Sequence, residues 1–128
     1  MQPRVHRRTI EDPTVVVVEV EGDIDLHGSF EIEAAVYREL PTNVREVILD
    51  LSRASYLDSA GVHLLLKLYK RLRSRRQQLR LVLPEHSLLY EVVELSGIAS
   101  VAPIHASVSD GLASATAGQQ RTTLPEYD

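Results

Sequence analysis

Glu46-Val47-Ile48-Leu49-Asp50-Leu51, then Ser52-Arg53-Ala54-Ser55, then Tyr56-Leu57-Asp58-Ser59-Ala60-Gly61-Val62, is the stretch whose reading decides the fold. Its first six residues form an apolar, partly β-branched run of strand length. Its end passes into a helical pattern from about Ser59 to Arg76, where Leu64, Leu65, Leu68 and Leu72 share one face. His63, Lys67, Lys70 and Ser74 share the opposite, wet face. A strand leading through a short loop into an amphipathic helix is half of a βαβ unit.

The same alternation extends in both directions. Upstream, Val15-Val16-Val17-Val18-Glu19-Val20 is a β-branched strand that ends at Gly22-Asp23-Ile24-Asp25. Residues 4–9 make a short strand before it, with Glu11-Asp12-Pro13-Thr14 as the turn of a hairpin. Between the two main strands the spacing of Ile32, Ala35, Val36 and Leu40 predicts a helix over roughly residues 28–40, ended by Pro41-Thr42-Asn43. Downstream, Leu79–Leu83 is a strand stopped by Pro84. Leu88–Leu95 is a short helix with Gly97 as its C-terminal cap, Ser100–Ile104 a weak last strand and Val108–Ala117 a final helix.

The expected fold is therefore α/β: a mostly parallel mixed sheet with an N-terminal β-hairpin and about four helices. Residues 1–117 form a single domain in this reading, and residues 118–128 a flexible C-terminal tail. In such sheets functional groups gather beyond the carboxyl ends of the strands. Two ends stand out, Gly22-Asp23-Ile24-Asp25 and Tyr56-Leu57-Asp58-Ser59-Ala60-Gly61.

Composition narrows the class. Apolar residues make up 44% of the 128 and charged residues 25%, ordinary values for a globular protein. The chain has no cysteine, which excludes disulfides and thiolate metal sites. No apolar run approaches the ~20 residues of a membrane span. The basic N-terminus has no apolar stretch behind it, unlike a secretory signal. A cytoplasmic location is expected, with no membrane span.

The net charge of −4 is unevenly spread: residues 11–58 hold twelve acids and three bases, whereas half of all bases lie between Lys67 and Arg80. That basic stretch reads as a solvated helix face. It has no aromatic residue apart from Tyr69, which argues against a nucleic-acid groove. No direct nucleic-acid contact is expected. The five histidines, His6, His27, His63, His86 and His105, are scattered, with no zinc-type pair. Surface or capping roles are expected of them. No metal and no cofactor are implied.

Ser59 sits where a loop becomes a helix, so its hydroxyl lies among unpaired backbone N–H groups at the positive helix end. Small Ala60 and Gly61 leave it open to another protein's active site, and such a place tolerates a phosphate. Ordinary capping of the first turn by Asp58 or Ser59 accounts for the same four residues. A catalytic serine fits worse. Leu57 replaces the first glycine of a nucleophile elbow, and Asp110 follows His105 where the acid should come first. A response-regulator receiver would use Asp23, Asp25 and Asp58, but it needs a late lysine, and none follows Lys70.

Three segments resemble the STAS-domain anti-sigma factor antagonists: Val20-Glu21-Gly22-Asp23-Ile24-Asp25, Leu49-Asp50-Leu51 with Tyr56-Leu57-Asp58-Ser59-Ala60-Gly61-Val62, and Glu94-Leu95-Ser96-Gly97-Ile98. The resemblance implies a partner switch without catalytic activity of its own. In that family the unphosphorylated protein binds an anti-sigma factor that is also a serine kinase, and a sigma factor is released. Phosphorylation of the loop serine, here Ser59, ends the complex, and a metal-dependent serine phosphatase restores it. Asp23, Asp25, Asp58, Ser59, Ala60 and Gly61 would form the partner-binding site. Asp23 stands where the family has glutamate, and Ala60 where many relatives carry a second hydroxyl. The alternative within the resemblance is a STAS scaffold subunit of a signalling or lipid-transport assembly.

Overall fold

The computed structural model describes residues 4–8, 10–38 and 40–121, with side chains as far as residue 117. The valine run behaves as β-branched residues do, and β2 (Val15–Ile24) pairs along its length with β3 (Glu46–Leu57). With β1 (Arg4–Arg8), β4 (Gln78–Val82) and β5 (Ile104–His105) they form one sheet in the order β1-β2-β3-β4-β5. β1 runs antiparallel to β2, and the other neighbours are parallel.

Each crossover advances by one strand in the same direction. Right-handed connections then place α1 (Leu26–Tyr37), α2 (Ser59–Ser74) and α3 (Leu88–Leu95) on a common face. There Val18, Val20, Ile24, Leu49 and Leu51 from the sheet meet Ile32, Val36, Leu65, Leu68, Leu72 and Val93 from the helices. α4 (Val108–Arg121) covers part of the other face, where Val108 and Leu112 pack on Val15, Val17, Ile48 and Val82.

Several expected boundaries move, each for a local reason. α1 begins at Leu26 rather than residue 28, because Asp25 already caps it. It ends at Tyr37 rather than residue 40, since Arg38 is extended. β3 does not stop at Leu51 but continues to Leu57, because β2 goes on pairing with it beyond a register shift, as in Glu21↔Arg53 and Ile24↔Leu57. Of the expected strand Ser100–Ile104, Ser100 ends a one-turn 3-10 helix, Ile98–Ser100, residues 101–103 are turn and irregular backbone, and only Ile104, with His105, pairs with β4. α4 carries residues 118–121, which the tail was expected to hold. The rest of that tail, residues 122–128, lies outside the described residues, as does Thr9 of the first expected strand. Gly97 does close α3: its φ of 85° is a left-handed conformation that glycine adopts without a Cβ penalty.

Two of the sequence expectations for charged residues are overturned. Arg80 is not part of a solvated helix face; it lies on β4, buried beneath α4. His105 is not a surface or capping histidine, for it is half-buried beside Arg80.

Candidate functional site

β2 and β3 are parallel neighbours, and their last residues, Ile24 and Leu57, are in register. The residue after each is an aspartate, and each caps the helix that follows. Asp25 has φ −107° and ψ −171°, Asp58 φ −109° and ψ −168°, so two adjacent strand-to-helix turns share one backbone geometry. Asp25 Oδ1 accepts from Gly28 N at 2.8 Å. Asp58 Oδ1 accepts from Ala60 N at 3.0 Å and from Gly61 N at 3.1 Å. Both carboxylates thus answer unpaired N–H groups at positive helix ends.

With Asp58 as the cap, Ser59 becomes the first helical residue and is left exposed. Among the described residues no hydrogen bond engages its hydroxyl. Ala60 is half-buried beside it, and Gly61 is buried. A Cβ on Gly61 would overlap Leu57 Cδ1 and stand 2.6 Å from the carbonyl oxygen of Ile24. Glycine there lets the start of α2 lie directly on the end of β2. Asp25, Asp58, Ser59, Ala60 and Gly61 are brought together in this way. Asp23 is at the same edge but leaves the sheet on the side opposite buried Ile24, where its Oδ1 accepts from Ser55 Oγ at 3.0 Å.

A shallow groove of about 400 Å³ runs between α1 and α2 and includes Leu26, Phe30, Ser59, Ala60, His63 and Lys67. Its apolar wall was not picked out from the sequence. Leu26 is 62% exposed and Phe30 61%, unusual for large apolar side chains one helical turn apart. The available signal was their spacing, i and i+4, off the buried Ile32–Val36 stripe. Tyr56, also half exposed, stands on β3 opposite Asp23. At the far end Lys67 Nζ and Glu33 Oε2 pair at 3.2 Å, tying α2 to α1.

The arrangement offers an accessible hydroxyl at a positive helix end, rimmed by carboxylates and an apolar wall. No hydrogen bond among the described residues links Ser59 to His63, and Glu33 across the groove is committed to Lys67. Among the described residues no cluster of His, Cys, Asp and Glu has the makeup of a metal site. No helix among them is long and apolar enough to cross a membrane.

Comparisons with known proteins agree with the fold. The sequence model of the STAS domain matches residues 6–111. A Bordetella bronchiseptica protein named putative anti-sigma factor antagonist BtrV is 32% identical over 107 residues, 83% of this chain and 86% of its own length. The crystal structure of an anti-sigma factor antagonist from Mycobacterium paratuberculosis superposes with a TM-score of 0.73 at 22% identity, covering 88% of this chain and 93% of that one. The Bacillus cell fate determinant SpoIIAA in its phosphorylated form superposes at 0.62 with 21% identity, covering 88% and 99%. At these identities the two structures speak for the fold.

Proposed function

The chain belongs to the STAS domain family, among the anti-sigma factor antagonists, and from that premise we propose that it is the phosphorylation-controlled member of a partner switch. Unphosphorylated, it binds an anti-sigma factor that is also a serine kinase, and a sigma factor is released. Phosphate on Ser59 ends the complex, and a metal-dependent serine phosphatase resets it. The protein itself catalyses nothing, and the exchange takes place in the cytoplasm.

One observation carries this reading: the exposed Ser59 hydroxyl at the first residue of α2, with Asp58 rather than Ser59 doing the capping. Because Asp58 satisfies the helix end, the serine is free for another use. Its phosphate would bring nearly two negative charges close to Asp25 and Asp58. The N-terminus of α2 tolerates that charge. A partner docked over Leu26, Phe30 and Ser59 meets added bulk and, where its surface is acidic or apolar, a large desolvation cost.

The test is incubation with the serine kinase of the same genome and labelled ATP, followed by phosphopeptide mapping. Label should fall on Ser59 and vanish in Ser59→Ala. Strong labelling of the alanine variant, for example at Ser55, removes Ser59 from the mechanism.

The scaffold reading has an observation of its own. Leu88, Val92 and Leu95 lie along one side of α3, exposed by 90%, 40% and 81%, although Leu89 and Val93 supply its core face. A large homo-assembly by native mass, with no kinase bound, favours the scaffold over the switch.

A further inference from the structure

Arg80 places a cation where a strand beneath a helix usually carries an apolar side chain. It is 6% exposed and lies on the sheet face that α4 covers. Its Nε donates to Glu46 Oε1 on β3 at 2.8 Å, and its Nη1 donates to Ser114 Oγ on α4 at 3.0 Å. The same Nη1 is 3.3 Å from His105 Nε2 on β5. A guanidinium has N–H donors and no acceptor. The contact with His105 is therefore a hydrogen bond only while Nε2 carries a lone pair, which puts the ring proton on Nδ1.

We propose that His105 is a protonation-controlled latch for α4: the neutral imidazole joins β5 to the Arg80 cluster beneath the helix, and protonation at Nε2 sets two cations against each other there and loosens α4 from the sheet. Among the described residues the rest of the hold on α4 is a small, mostly apolar contact in which its Ala115 is fully buried. Its seat is the small apolar set of Val15, Val17, Ile48 and Val82, with Ser114 as the polar tie. The helix lies directly over the ring at Gly111, where a Cβ would be in ordinary contact, 3.6 Å from both His105 Cδ2 and Ile48 Cδ1.

The charges around the ring set the sign. β4 presents Arg80, β3 presents Glu46 through Arg80, α4 presents Asp110, and residues 102–107 around β5 add no other charged group. Burial lowers the His105 pKa below its ordinary value, Arg80 lowers it further and Asp110 opposes them. With α4 loosened, the ring loses part of that burial and its pKa moves back toward the ordinary value of ~6.5. The loosened state then binds the proton better than the docked state. Opening of α4 rises as pH falls below ~6.5, by at most about tenfold per pH unit for one proton, and levels off below the docked pKa. Glu46 works in the other direction. Burial raises its pKa against the Arg80 hydrogen bond and charge, so the docked state binds that proton better.

The latch is independent of what binds at Ser59. Its test is amide hydrogen exchange in α4, read by NMR between pH 7.5 and 5.5 and corrected for intrinsic rates, in the native protein and in His105→Gln. The native protein should show opening of residues 111–115 increasing several-fold as pH falls. The glutamine variant, whose side-chain oxygen still accepts from Arg80, should lose that rise and keep only the opposing Glu46 dependence. Equal pH dependence in the two proteins overturns the latch. If His105→Gln does not fold, the imidazole ¹⁵N spectrum of the native protein decides. A bare Nε2 at pH 7.5, with the ring titrating below ~6.5, upholds the proposal. A proton on Nε2 at pH 7.5, or titration at or above that value, ends it.

Discussion

Gly61 and the backbone carbonyl of Ile24 touch across the junction of α2 with β2: a Cβ on Gly61 would sit 2.6 Å from that oxygen. Gly61→Ala therefore sets two effects against each other. Helix propensity favours alanine by about 1 kcal/mol. Overpacking against a backbone atom costs about 1–3 kcal/mol, because no side chain can swing away. A net loss of stability is expected in urea denaturation, with the amide signals of Ser59 and Ala60 displaced. A more stable Gly61→Ala protein means that the contact is slack.

Asp58 accepts from two N–H groups of α2. Asp58→Ala should cost about 1 kcal/mol of stability, while Asp58→Asn keeps the acceptor and most of the cap. The asparagine variant thus separates capping from charge. If it keeps its stability but changes its affinity for the kinase partner, the carboxylate charge acts in binding. Equal stability of the alanine variant and the native protein contradicts the capping role.

Leu26 and Phe30 are exposed, so Leu26→Ser and Phe30→Ser should alter stability by no more than about 0.5 kcal/mol. As apolar anchors of a docked partner they should matter more. Loss of an aromatic anchor weakens binding by about 2 kcal/mol, or roughly thirtyfold. Titration calorimetry against the kinase partner, with a melting curve for each variant, reads both quantities. Unchanged affinity in both variants places the partner elsewhere than the α1–α2 groove.

The Glu46–Arg80 ion pair is buried, with side chains only 8% and 7% exposed. Arg80→Met strands a buried carboxylate, and Glu46→Leu strands a buried guanidinium. Each should cost about 3–5 kcal/mol, whereas the double variant should recover most of the loss, because an apolar pair also avoids the desolvation of two charges. A double-mutant cycle in urea checks the coupling, and additive losses contradict it.

What could be read in advance follows from how local each cause is. The valines of β2, the Leu49-Asp50-Leu51 strand and the leucine stripe of α2 carry their own periodicity, and so does the strand-to-helix step at Asp58-Ser59. The second half of β3 does not. Ser52-Arg53-Ala54-Ser55 has no apolar alternation, and these residues are extended because β2 offers a pairing edge, a fact of the sheet. Leu26 and Phe30 are not legible in this way, because helical periodicity marks the stripe that becomes core and they lie off it. Arg80 and Glu46 escaped because a charge in a strand defaults to solvent, and only the docking of α4 reverses that default.

The central claim is that phosphate on Ser59 releases the partner. The most direct measurement is the affinity of the serine kinase partner for this protein, unmodified and stoichiometrically phosphorylated at Ser59, at low and at high salt. The unmodified form should bind and the phosphorylated form should bind about a hundredfold more weakly, a difference near 3 kcal/mol. Part of that difference should shrink as salt screens the charge over ~8–10 Å, leaving a part due to bulk. Equal or tighter binding of the phosphorylated form would contradict the account, because the phosphate would then be a docking signal and the switch would run the other way.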